Sequence, residues 1–193
     1  MKIIVGVDEV GRGCWAGPVV AGAVILDDAR PIDGLRDSKK LSPRQRNQLI
    51  PIIYHQAVAA GLGWVSAAEV DEFGLSWAIK ESGLRALRKL QVSFDHVVLD
   101  GKHNYLREEL FSTEVIVGAD DIVPSVSAAS IIAKVARDRY MTQMSLVYPE
   151  FGFDRHMGYG TGFHLAALNQ HGVTRLHRVS YKPVKRALDR VNN

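Results

Sequence analysis

Residues 3–13 read Ile3-Ile4-Val5-Gly6-Val7-Asp8-Glu9-Val10-Gly11-Arg12-Gly13. The apolar run at the start is the pattern of a buried strand. Two carboxylates at the end of such a strand are costly unless something cationic neutralises them. The glycines that follow let the backbone turn and bring its amides close to a ligand. An acid pair beside a tight, amide-rich turn with one arginine implies a metal site next to a phosphate or sugar site. Gly6-x4-Gly11 imitates the spacing of a phosphate loop. Arg12-Gly13 stands where Lys-Ser/Thr is required, so that reading is rejected.

Two later apolar runs end in the same way. His96-Val97-Val98-Leu99-Asp100 closes on an acid and Gly101, and Glu114-Val115-Ile116-Val117-Gly118 leads into Ala119-Asp120-Asp121. In open α/β sheets ligands gather at the carboxyl ends of parallel strands. If these ends lie side by side, Asp8, Glu9, Asp100 and either Asp120 or Asp121 converge. Hard divalent cations, Mg²⁺ above all, are the natural counter-ions for such oxygens. No cysteine–histidine spacing suits zinc. A carboxylate cluster with two such ions is a device for phosphoryl transfer. Neighbouring strand residues point to opposite faces, so Asp8 and Glu9 share a site only where the strand ends or bends. Any one acid, Asp100-Gly101 in particular, also reads as a plain turn former.

Outward from these ends the chain alternates. Strands are expected at Lys2–Asp8, Pro18–Leu26, Gly61–Ser66, His96–Asp100 and Glu114–Gly118. Ser42 caps a helix with Pro43 at its first position, and Pro51 should kink it. Leu75–Leu90 and Ser127–Met144 are further helices. Shorter ones follow near His164–Gln170 and Pro183–Val191. The pattern is an α/β domain with a mixed sheet, an antiparallel meander continued by parallel strands through helical crossovers.

The 193 residues fit a single domain spanning 1–193. With 47% hydrophobic and 23% charged residues the composition is that of an ordinary globular protein. No apolar run is long enough to cross a bilayer. Met1-Lys2 leads directly into a strand, without a signal peptide's cleavage region. Cys14 is the only cysteine, which suits a reducing cytosol. The net charge of +3 is unevenly spread. From Phe151 to Asn193 seven Lys/Arg stand against two acids, Asp154 and Asp189. A basic end on a slightly acidic body fits either a polyanionic partner or a solvated C-terminal helix.

Taken together these residues resemble type 2 ribonuclease H, the ribonuclease HII family. The resemblance rests on Asp8-Glu9-Val10-Gly11-Arg12-Gly13, Ala16-Gly17-Pro18-Val19, Asp37-Ser38-Lys39-Lys40-Leu41 and Asp100-Gly101. It continues through Val126–Val135, Arg137-Asp138, Gly158-Tyr159-Gly160-Thr161, His164-Leu165 and His177-Arg178. Each motif alone is weak, but their order and spacing are specific. The resemblance implies a ribonuclease H-like fold, a mixed five-stranded sheet flanked by helices with a helical C-terminal extension. It implies Mg²⁺- or Mn²⁺-dependent cleavage of RNA paired to DNA. It also implies incision 5′ of single ribonucleotides in duplex DNA, leaving 3′-hydroxyl and 5′-phosphate ends. A cytoplasmic monomer is expected.

The family's metal-binding acids match Asp8, Glu9, Asp100 and Asp120, the last chosen over Asp121 by its spacing to Ser127. Gly11, Arg12 and Gly13 would present backbone groups to the ribose 2′-hydroxyl, the handle that separates RNA from DNA. Tyr159 would abut the sugar of the next nucleotide. Lys39 would hold phosphate, or else belong to a solvated turn. Ser127 would sit near a helix start as a phosphate contact or a cap. Arg178 would touch the nucleic-acid backbone or brace the last segment, whereas bracing is expected of His164 and His177. Lys134, Arg137 and Asp138 are read as structural. Met157 departs from a lysine common in the family, and Cys14-Trp15 from a proline-led pair. Neither departure touches the acids.

Overall fold

In a computed structural model, residues 2–107, 109 and 111–191 are described. β1 (Ile4–Val10) pairs antiparallel with β2 (Val19–Ile25), which pairs antiparallel with β3 (Ala59–Val65). Helix α1 (Pro43–Gln56) lies between β2 and β3. Its N-terminus is closed by a capping box, with the Ser42 side chain on the Gln45 amide and the Gln45 side chain on the Ser42 amide. The helix runs unbroken through Pro51.

Helix α2 (Ala67–Phe73) is an element that apolar periodicity does not signal, although Ser66 and Glu69 spell a second capping box before it. Helix α3 (Leu75–Arg88) then crosses to β4 (His96–Asp100), which lies parallel to β1. β5 (Ser112–Ile116) lies parallel to β4. It sits two residues earlier than the apolar run implies, because Val117 and Gly118 belong to the turn into α4 (Ala119–Ile122). The sheet order is β3-β2-β1-β4-β5, the expected meander extended by parallel strands.

Helix α5 (Pro124–Val147) is the long central helix. It starts at Pro124, so Ser127 lies inside its first turn rather than at its start. It rests directly on the sheet: a Cβ on Gly6 would stand 2.2 Å from the α5 backbone at Ser125, and one on Gly22 would stand 2.3 Å from the Ala129 carbonyl. Two glycines on facing strands therefore set how closely helix and sheet approach. α3 covers the other face, where Val5, Val7, Ala21, Ala23, Val97 and Leu99 pack with Ala86, Leu87 and Leu90. The remaining helices, α6 (Phe153–His156), α7 (Gly162–His171) and α8 (Lys182–Val191), form a C-terminal lobe. Its core joins Phe151, Phe153, Leu168 and Val184 to Ala16 and Met141. No helix among the described residues is long and apolar enough to cross a membrane.

Candidate active site

The parallel register Val7↔Leu99 puts Asp8 and Asp100 next in line on adjacent strands, on the face covered by α5. Asp8 is 7% exposed, its Oδ1 accepts from the Glu9 amide at 2.8 Å, and Ser130 of α5 lies beside its carboxylate. Glu9 follows on the opposite face. The strand does not end or bend between the two acids, because β1 continues to Val10 with Asp8↔Gly22 and Glu9↔Ala21 still in register. Glu9 instead lines a small cavity with Asp100, His103 and Tyr105 at the end of the sheet. Asp120 comes from α4, buried at 5% exposure.

The electrostatics tie these acids together. Burial first, then the charges of Glu9 and Asp100, push Asp8 well above the usual carboxylate range. Burial raises Glu9 too, opposed by Arg12. Burial and the neighbouring Asp100 raise Asp120. Two cations from the chain already answer the cluster. Arg12 Nη1 donates to Glu9 Oε1 at 3.0 Å, and Lys39 Nζ stands 3.6 Å from both Asp120 Oδ2 and Asp37 Oδ1. Neutralisation is therefore shared between protein cations and whatever cation binds, rather than left to metal alone. Among the described residues no three His, Cys, Asp or Glu already stand as a preformed metal cage. The donor set nevertheless fits a hard divalent ion. Asp100 Oδ1 is buried with no hydrogen-bond partner, an acceptor left open inside a cluster of like charges. Asp121, the competitor of Asp120, is exposed and paired with Lys40 at 2.7 Å.

The other sequence candidates divide. Gly11 takes φ +95°, and a Cβ there would strike Arg137 Nε at 2.4 Å, so this turn requires glycine. Gly13 is exposed with open space before it. Tyr159 is 42% exposed, on a glycine-flanked loop beside the same turn. Lys39 is exposed on the 3₁₀ turn Ser38–Lys40.

Ser127 and Arg178 do not face the solvent. Ser127 is 2% exposed, and its hydroxyl donates to the Asp120 carbonyl at 2.7 Å, so it anchors the α4 turn instead of meeting phosphate. Arg178 is fully buried. It donates through Nη2 to Gly17 O at 2.8 Å and through Nη1 to Arg12 O at 3.0 Å. It holds the glycine turn from behind and meets no solvent. Sequence reasoning passed over Tyr105, whose hydroxyl accepts from Arg12 Nη2 at 3.2 Å, and Tyr181, whose hydroxyl donates to Arg12 O at 2.6 Å. Neither carries a local signal, since each reaches the site through tertiary packing.

A mixed β3-β2-β1-β4-β5 sheet with acids from two parallel strand ends and a flanking helix defines a hydrolase of the ribonuclease H fold class. The comparisons with known proteins make this specific. The family model described as Ribonuclease HII matches residues 5–184. Ribonuclease HII of Dichelobacter nodosus is 45% identical over 182 residues, covering 94% of this chain and 95% of that protein. Among solved structures, ribonuclease H2 of Pyrococcus horikoshii OT3 superimposes with a TM-score of 0.84 at 27% identity, covering both chains fully. Bst-RNase HIII, solved in complex with Mn²⁺, shares the fold with a TM-score of 0.74 at 21% identity, over 97% of this chain and 70% of that one. The chain belongs to the ribonuclease HII family, and it is a ribonuclease H, a hydrolytic endonuclease acting on RNA-containing nucleic acid.

Proposed function

We propose that the protein cleaves the RNA strand of RNA–DNA hybrids and incises 5′ of single ribonucleotides in duplex DNA, leaving 3′-hydroxyl and 5′-phosphate ends. The observation that carries this reading is the joint one of Asp8, Asp100 and Asp120: two buried carboxylates and a half-buried one that repel each other, with the buried Asp100 Oδ1 unpartnered, beside an open glycine turn. Asp8, Glu9, Asp100 and Asp120 would hold Mg²⁺ or Mn²⁺, the latter bound by the similarly folded RNase HIII. When bound, a pair of such ions supplies an activated water and charge stabilisation at the leaving oxygen.

The chain's own groups do the rest. The Arg12 carbonyl already accepts from Arg178 and Tyr181, which leaves the amides of Arg12 and Gly13 to read the 2′-hydroxyl. Tyr159 meets the sugar of the neighbouring nucleotide. Lys39 stays charged between Asp37 and Asp120 and reaches a phosphate from the exposed side. The basic C-terminal lobe adds counter-charge to the duplex, so binding weakens with salt. The protein works in the cytoplasm as a monomer, on RNA–DNA hybrid and ribonucleotide-containing duplex.

The test is a cleavage assay on a duplex with one embedded ribonucleotide, with and without Mg²⁺ or Mn²⁺, and on the all-deoxy control. Cutting 5′ of the ribonucleotide only with divalent ion supports the reading. Cutting of the all-deoxy duplex, or no cutting of the ribonucleotide substrate, overturns it.

A further inference from the structure

A second buried polar assembly lies away from the acids, in the C-terminal lobe. His164 is fully buried and His177 is 3% exposed, packed among Trp15, Phe151 and Phe153. The Thr174 amide donates to His177 Nδ1 at 2.9 Å. His177 must therefore carry its proton on Nε2, which stands 3.0 Å from His164 Nε2. His164 accepts there, carries its own proton on Nδ1, and donates it to the Tyr159 carbonyl at 2.9 Å. One assignment of protons satisfies the whole chain. Burial holds His164 down at about 4 and His177 at about 3, which keeps both rings neutral.

The stacked ring of His156, 4.6 Å away, grips the same loop from the other side. Its Nδ1 accepts from the Gly158 amide at 3.2 Å, and its Nε2 meets Phe151 O at 2.8 Å. The Tyr159 hydroxyl lies near Cys14. The tyrosine is thus held at its backbone carbonyl by a histidine, while its ring is partly open to solvent.

We propose that the His177–His164 relay is a positioning device for Tyr159, fixing the height of that residue so that its ring meets the sugar at a ribonucleotide–deoxyribonucleotide junction. The inference rests on the substrate role given to Tyr159 above. A misplacement of about 1 Å at such a contact costs about a hundredfold in rate, and the His164 bond is the side-chain hold on the Tyr159 carbonyl, added to the backbone bonds from Tyr159 to His156 O and from Trp15 to Gly158 O.

The test pairs two variants that lose the same imidazole packing. In His164→Asn the amide nitrogen stands where Nδ1 stood and still reaches the Tyr159 carbonyl. In His164→Gln the amide extends to the place of Nε2 and leaves that carbonyl unheld. His164→Gln is expected to lose about tenfold or more in kcat on a single-ribonucleotide duplex with KM little changed, and much less on a long hybrid. His164→Asn should keep the wild-type ratio between the two substrates. In a Tyr159→Ala background, His164→Gln should cost nothing further on the junction substrate. Equal losses for Asn and Gln on both substrates would reduce the histidines to structure and overturn the relay while leaving Tyr159 its role. A Tyr159→Ala variant with unchanged junction cleavage would overturn both. Nitrogen chemical shifts of the wild-type protein give a reading that needs no variant. They should show His164 protonated on Nδ1 and His177 on Nε2, and the reverse assignment contradicts the relay.

Discussion

The strand-end acids and the glycine-turn brace are both buried and both polar, yet they are built on opposite plans. In the brace every donor has a carbonyl. Arg137 donates to Pro18 O, Ala16 O and Met157 O, and Arg178 to Gly17 O and Arg12 O. In the cluster, like charges face one another and Asp100 Oδ1 has no partner. Satisfied buried polar groups rigidify a structure, and unsatisfied ones are held at a cost in stability. The brace fixes the turn proposed to read the sugar, whereas the cluster keeps an electrostatic deficit that a bound cation would relieve.

Substitutions in the two regions should therefore part activity from stability. The largest effect is expected from Asp8→Asn or Asp100→Asn. Cleavage should disappear while hybrid binding persists, and the melting temperature should hold or rise because a penalised buried charge is gone. A fall in melting temperature with activity retained would erase the distinction. Next comes Arg178→Met, which keeps the stem but strips the Gly17 carbonyl of its guanidinium donors and leaves the Arg12 carbonyl only the Tyr181 hydroxyl. It should lower stability by about 1–3 kcal/mol, read as a lower denaturation midpoint, and lower activity with it. Unchanged stability would place Arg178 outside the brace.

A pH titration sharpens the same contrast. His164 and His177 are depressed in the folded state to about 4 and about 3 by burial, whereas unfolded histidines titrate near 6.5. The unfolded chain therefore binds more protons below pH 6.5. The histidine contribution to stability should be complete above that value and fall as the pH drops towards 4, opposed by the raised carboxyls of Asp8, Glu9 and Asp120, which take up protons more readily in the folded state. His164→Asn should flatten part of that slope in thermal melts, and an unaltered slope would remove the histidine from the account. The smallest effect is expected at Lys40. Its contact with Asp121 is exposed on both sides and screened by solvent, and Lys40→Ala should leave the denaturation midpoint at the wild-type value.

What was legible in the sequence follows the same division. β4 is readable to the residue because a short apolar run stops at Asp100-Gly101. The acids stand out in the sequence only as a set, because any one carboxylate after an apolar run is an ordinary turn former. The four-residue helix carrying Asp120 has no periodicity to betray it and depends on α5 beneath it. Asp8 and Glu9 lie on opposite faces of an unbent β1, close enough for their charges to repel across the strand. Arg178 lies in a basic run, and charge alone does not distinguish a cation that meets a phosphate from one that holds carbonyls. Ser127 is indistinguishable in sequence from a capping serine, since the helix begins three residues earlier at Pro124.

If the open acceptor at Asp100, among repelling neighbours, serves a divalent cation, the protein should bind one before any nucleic acid arrives. Calorimetric titration of Mn²⁺ into the wild-type protein and into Asp100→Asn, without nucleic acid, tests it most directly. Saturable binding by the wild type is expected, with a matching rise in melting temperature and loss of both in the variant. Equal binding by the two proteins, or none by the wild type even with hybrid present, would contradict it.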